Sequence, residues 1–180
     1  KMSVMLFVLL LPISSYVAAL PFIQEEWGLN NTQAGGIYSA YLTGYVVSAL
    51  LVVPLTDRFG PRHILIWSAV LSLAAHLAFP LMAAEDMVGA VALRAAAGVG
   101  LVGIYMPGLR LISERFSGMG RGTAIGLFVT AQYLANSASL AITGALMASM
   151  EWRDAYMAVS AVAVAGLPMA YVLLRSHERH

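Results

Sequence analysis

The chain has 180 residues, 60% of them hydrophobic and only 11% charged, with a formal net charge of +1. Soluble domains carry about 25% charged residues, so the composition excludes an ordinary water-soluble domain, and the near-neutral charge excludes a polybasic surface for nucleic acid. No cysteine is present, which excludes disulfides, thiol nucleophiles and thiolate-bound metals.

The positions of the charges divide the chain. Uncharged runs cover 3–24, 27–56, 63–84, 95–109, 122–150 and 155–174. A helix needs about 20 apolar residues to cross the hydrocarbon core. The fourth run falls short only because Arg94 interrupts it. The pattern predicts an all-α membrane protein with six transmembrane helices near 3–23, 34–55, 63–84, 87–109, 122–147 and 154–174. They form one bundle over 1–180.

The first span opens with Lys1 and an apolar run, as a signal peptide does. It is long enough to cross, and "YVAALPF" offers no small-x-small cleavage site, so retention as a helix is expected. Ser14, Ser15 and Tyr16 cluster below Pro12. In the second span Tyr38, Tyr41, Tyr45 and Ser48 share one side, and Pro54 is expected to close the helix. Asp57, Arg58 and Arg62 then crowd around a tight turn at Gly60 and Pro61. The bland reading is a solvated turn. The sharper one has Asp57 capping a helix or pairing with an arginine across an interface.

In the third span Ser68, Ser72 and His76 follow four-residue spacing, which ordinary interhelical bonding explains. No second histidine or carboxylate stands at a spacing suited to a metal, and no cofactor is implied. The fourth span contains "RAAAGVGLVGIYMPG", with Gly98, Gly100 and Gly103 spaced as in a dinucleotide-binding loop. That loop needs a preceding strand and a polar turn. Here the glycines lie inside an apolar span, where small residues let helix backbones approach closely.

An arginine within a span costs about 2.5–3.5 kcal/mol on insertion scales and by default faces protein or water. Arg94 and Tyr105 fall at nearly the same helical angle, so both are candidates for one cavity. The alternatives are a structural ion pair and snorkelling to the outer interface. In the fifth span Gln132, Asn136, Ser139 and Thr143 lie within about 60° of one another. In lipid such groups must meet protein or water. The sixth span is almost uniformly Ala, Val, Leu and Met, and is expected to face lipid.

Basic residues orient the bundle. One side holds Lys1, Arg58, Arg62, Arg110, Arg115, Arg121, Arg175 and Arg179, and the other only Arg153. Both termini are therefore expected in the cytoplasm, with a bacterial inner membrane as the location.

The stretch from Val53 to Leu65 resembles motif A of the major facilitator superfamily, G-x-L-a-D-r-x-G-r-r-x-x-l. Leu55, Asp57, Arg58, Gly60, Arg62 and Leu65 match, while Val53 and Pro61 depart. Arg94, Gly98 and Gly100 resemble motif B, with Ala97 in place of its glutamine. "GRGTAIGL" at 120–127 and "EWRDAYM" at 151–157 look like the family's turns into its fifth and sixth helices.

The resemblance implies the N-terminal half of a twelve-helix transporter, built as two inverted three-helix repeats. It implies a cavity lined by spans one and four and flanked by two and five. The candidate solute-facing residues are Arg94, Tyr105, Gln132, Asn136, Tyr45 and Ser15. It also implies a cytoplasmic latch of Asp57, Arg58, Gly60 and Arg62. The G-P-x-x-G-G element of drug–proton antiporters is absent from span five.

The leading expectation is secondary transport of a small polar or anionic solute by alternating access. The partners are the lipid bilayer and a second six-helix half, supplied either by a C-terminal half or by a second copy. A non-transporting accessory subunit is the alternative. An enzyme is not expected, because no G-x-S-G element exists and Ser117 lies in a charged turn away from His76.

Overall fold

The computed structural model describes residues 1–82 and 86–175. Glu85, His177, Arg179 and His180 lie outside the described residues. Among the described residues eight helices follow in order: α1 (Met2–Leu9), α2 (Ser15–Trp27), α3 (Asn31–Phe59), α4 (Pro61–Met82), α5 (Met87–Arg115), α6 (Met119–Leu146), α7 (Trp152–Val164) and α8 (Gly166–Arg175). Among the described residues, five stretches are long and apolar enough to cross a membrane: Asn31–Val52, Pro61–Leu81, Met87–Arg115, Gly120–Leu146 and the joined α7–α8, Trp152–Arg175. The protein is an integral membrane protein.

The first expected span is broken in the middle. Pro12 has no N–H to give and its ring crowds the carbonyl four residues back. The chain tightens into three-residue bonds from Leu11 N to Val8 O, Ile13 N to Leu10 O and Ser15 N to Pro12 O, at 3.3, 3.0 and 3.1 Å. Helix then resumes at Ser15. The last span bends at Ala165 in the same way, with Ala165 N donating to Val162 O at 3.1 Å.

The reading of Pro54 needs correction. It does not close the second span but lies inside α3, which runs on to Phe59. A single proline forfeits one backbone bond, and membrane helices accommodate it by local adjustment. The helix ends instead at Gly60, whose φ of +82° suits a residue without Cβ. Asp57 and Arg58 therefore sit on the last turn of α3, and Arg62 on the first turn of α4. Likewise α5 continues through Pro107 to Arg115.

Local signals start the helices. Asn30 and Gln33 form a reciprocal capping box on α3, with bonds of 2.9 and 3.0 Å. Asp86 caps α5 by accepting from Val88 N at 2.9 Å. Gly28, with φ of +63°, ends α2 in the left-handed conformation.

Span six, expected to face lipid, has two unlike sides. One side of α7–α8, with Val162, Val164, Tyr171 and Val172, is exposed. The other, with Trp152, Tyr156, Val159, Ser160 and Leu174, is buried against the rest of the bundle.

Candidate functional site

The glycines of α5 set the geometry of the bundle centre. A Cβ on Gly98 would fall on the Tyr41 carbonyl oxygen of α3, and one on Gly44 would fall on the Ala95 backbone. On the opposite flank, Gly100 and Gly103 abut Ser72 and Ser68 of α4. The spacing that resembled a nucleotide loop is a two-sided packing surface. It wedges α5 between α3 and α4 at backbone contact.

One turn above Gly98, Arg94 is only 1% exposed, the largest fully buried side chain among the described residues. Its guanidinium carbon stands 4.7 Å from the ring centroid of Tyr16 and 4.6 Å from that of Tyr41. Two aromatic faces thus hold the cation, an attraction that strengthens when water is excluded. Tyr16 is fixed by donating its hydroxyl to Ala34 O at 3.0 Å. Its ring packs edge-on against Phe79, which stacks on Tyr156, with centroids 5.6 Å apart in both pairs. His76 lies 6.3 Å from Tyr156 and donates from Nδ1 to Ser72 O at 2.8 Å.

This aromatic box is polar. Arg94 Nε, Nη1 and Nη2, the hydroxyls of Tyr41 and Tyr156, and His76 Nε2 are buried without a hydrogen bond of ordinary geometry, and the Tyr156 hydroxyl lies close enough to the Arg94 guanidinium for the two to interact. Among the described residues no carboxylate pairs with Arg94. The side chain is buried within the bundle.

The other candidate residues form separate groups. Ser15, fully buried, bonds Thr143 at 2.9 Å and Ser139 at 3.5 Å. Ser14 donates its hydroxyl to Asn136 Oδ1 at 3.2 Å, and its backbone N–H to Ser139 Oγ at 3.0 Å. Ser15 and Asn136 thus belong to a hydroxyl-and-amide seam between spans one and five. Tyr45, Tyr105, Gln132 and Asn136 are half-buried. Tyr105 stacks on Phe128 with centroids 5.7 Å apart, near enough to Tyr45 and Tyr133 for their hydroxyls to act on it. Tyr45 and Tyr105 are brought together; Arg94 is set apart from them inside the box.

At the basic end Asp57 accepts a charge-assisted bond from Arg110 of α5, whose Nε also bonds Glu114 at 2.8 Å. Arg58 lies over the Phe59 ring at 5.3 Å, and Arg62 is half-buried. At the other end Glu26 accepts from Trp152 Nε1 and from Arg153 Nη2, both at 2.5 Å. Arg153 Nη1 also donates to Pro80 O at 2.9 Å, so this cluster ties spans one, three and six together. The Arg153 bond, then the Trp152 bond, hold the Glu26 carboxyl below its ordinary range.

Sequence reasoning passed over Tyr156, Arg110 and Glu26, and left Tyr16, Tyr41 and His76 outside the site. The available signal was the presence of phenols and an imidazole in otherwise apolar spans. Among the described residues, no three His, Asp or Glu side chains gather as a metal site would require.

Comparison with known proteins finds relatives named as transporters. The chain is 27% identical over 170 residues to a probable L-galactonate transporter of Escherichia coli K12, covering 92% of this chain and 36% of that protein. It is 28% identical over 181 residues to the probable sulfoacetate transporter SauU of Cupriavidus necator, covering 99% and 41%. It is 27% identical over 159 residues to the probable galactarate/D-glucarate transporter GudP of Bacillus subtilis, covering 86% and 34%. The chain thus spans well under half the length of these relatives. The family model described as Major Facilitator Superfamily matches residues 2–180, and the chain belongs to that family.

Proposed function

We propose that this chain is the N-terminal six-helix half of a secondary transporter for small organic anions. The carrying observation is Arg94: a buried guanidinium held by two tyrosine rings, with no carboxylate paired to it among the described residues. A cation kept in that state is an attractor for a carboxylate or sulfonate, since charge-assisted pairs are the strong ones where water is excluded. The relatives named as probable transporters of L-galactonate, sulfoacetate and galactarate/D-glucarate support an anionic solute class here.

Alternating access needs two bundles rocking about a central site. The half-buried face of Tyr45, Tyr105, Gln132 and Asn136 is the surface offered to a second six-helix half, and the relatives are long enough to supply one within a single chain. Solute would enter between the halves, and Tyr16 and Tyr41 would part to expose Arg94. Both termini would lie in the cytoplasm of a bacterial inner membrane, with Asp57, Arg58, Gly60 and Arg62 on that side. The Asp57–Arg110 pair would brace the latch.

Uptake by the full-length protein in proteoliposomes tests the reading, with L-galactonate and sulfoacetate as probes. Arg94→Gln should lower uptake by about ten- to a hundredfold, since hydrogen bonds to charged groups contribute about 1.5–3 kcal/mol. Thermal unfolding should still report a folded protein. Full uptake by the variant would refute the role of Arg94.

A further inference from the structure

We infer that the groove between α1 and α8, at the basic end of the bundle, holds an anionic phospholipid of the surrounding bilayer. The groove is a separate surface from the Arg94 box and does not depend on the solute.

The two helices touch at one crossing. A Cβ on Gly166 would fall 2.6 Å from Leu9 Cδ2 and 3.2 Å from the Leu9 backbone nitrogen. The missing side chain lets the backbones approach there. Met5, Leu6 and Leu9 of α1, and Ala170 and Leu174 of α8, turn into the core and are at most 2% exposed. From the crossing toward the basic end, the helices leave a groove of about 550 Å³ between them. It is lined by Lys1, Val4, Pro168, Met169, Val172 and Leu173. Val4 is 56% exposed and Val172 64%, so the groove opens outward.

Its length suits one leaflet. From Lys1 to Leu9, and from Gly166 to Arg175, the helices rise by about 12–14 Å. Half of a hydrocarbon core about 30 Å thick is about 15 Å. The crossing therefore lies near the middle of the membrane when Lys1 and Arg175 stand at the headgroups.

Charge is confined to one end of the groove. Lys1 lines its mouth, and Arg175, exposed, stands two residues beyond Leu173. The other lining residues are apolar. Basic residues at the membrane surface attract anionic headgroups, by about fivefold for each. A phosphate at Lys1 and Arg175 leaves an acyl chain to lie along Val4, Pro168 and Val172, so head and tail each meet matching chemistry. A zwitterionic lipid brings a cation of its own to the same two charges and is disfavoured. A protein segment fits less well. Its irregular backbone would meet only apolar side chains below Lys1, and unpaired backbone groups are costly at that depth.

Photolabelling of the full-length protein in phosphatidylcholine bilayers tests the assignment. The probe lipid carries a diazirine on its acyl chain and either a phosphatidylglycerol or a phosphatidylcholine head. Peptide mass spectrometry reads the labelled positions, with the exposed Trp67 and Leu71 of α4 as the reference. In the wild type, the phosphatidylglycerol probe should label Val4 and Val172 at least about fivefold more strongly than the phosphatidylcholine probe. Lys1→Gln and Arg175→Gln should each lower that ratio, and together bring it near one. Val172→Trp, which fills the groove, should reduce labelling at Val4 by both probes.

Equal labelling by the two probes in the wild type overturns the proposal. So does a ratio unchanged in the Lys1→Gln, Arg175→Gln double variant, because other residues would then select the headgroup. Label at Trp67 with none at Val4 or Val172 shows that another part of the protein fills the groove, and overturns it as well. Where a variant fails to fold, the comparison of the two probes in the wild type still decides.

Discussion

The Arg94 guanidinium lies 4.6 Å from the ring centroid of Tyr41, and the helices bearing the two residues touch through glycine one turn away. The cation therefore faces a wall that the backbone itself holds in place. Desolvated cation–π pairs contribute about 2 kcal/mol. Tyr41→Leu should lower unfolding stability in detergent by about that amount, and Tyr41→Phe by clearly less. A double-mutant cycle with Arg94→Leu should give a coupling near 1 kcal/mol or more. Additive effects of the two substitutions would show that the ring does not hold the cation.

Gly98 and Gly126 should answer differently to the same change. A Cβ at Gly98 would meet Tyr45 N at 2.9 Å and crowd the Tyr41 carbonyl, whereas nothing lies within 4 Å of one at Gly126. Gly98→Ala should cost about 1–3 kcal/mol, as overpacking against backbone does. Gly126→Ala should be neutral or stabilise by up to about 1 kcal/mol through helix propensity. Thermal unfolding of the two single variants decides.

Glu26 should make the outer cluster acid-sensitive. Its folded pKa is lowered, by the Arg153 bond first and the Trp152 bond second. A depressed carboxyl contributes stability that is fully present above its unfolded pKa and is lost as pH falls through its folded pKa. Unfolding midpoints should therefore drop on acidification below the ordinary glutamate range, and Glu26→Gln should flatten that drop. Solvent reaches the carboxylate, whose side chain is 44% exposed, so the effect should be modest. An unchanged acid profile in Glu26→Gln would show that other carboxylates carry it.

Asp57 and Arg110 join spans two and four where basic residues predominate. Both are solvent-exposed, so breaking the pair should cost little stability. The larger consequence should be conformational: Asp57→Asn in the full-length protein should shift the population toward inward-open and reduce flux. Distance measurements between spin labels on the two halves would read this directly. Populations identical to wild type would count against the latch.

Hydrophobic run length and charge placement determined the membrane character and the approximate positions of the spans. Both are local, additive properties of the chain, so transfer energies sum along it without knowledge of contacts. They also marked Arg94 as singular, because one charge in an apolar run is costly wherever the run packs.

Proline shows where local reasoning stops. Pro54 is carried inside α3, yet Pro12 breaks the first span. Beside Pro12, the Ser14 N–H finds Ser139 Oγ on α6, a partner 125 positions away that helps stabilise the interruption. The walls around Arg94 likewise come from Tyr16, Tyr41 and Tyr156, on three different helices. Periodicity within one helix says which residues share a face but not which faces meet. Only the close approach permitted by Gly44, Gly98, Gly100 and Gly103 fixes that pairing, and with it the environment of the buried charge.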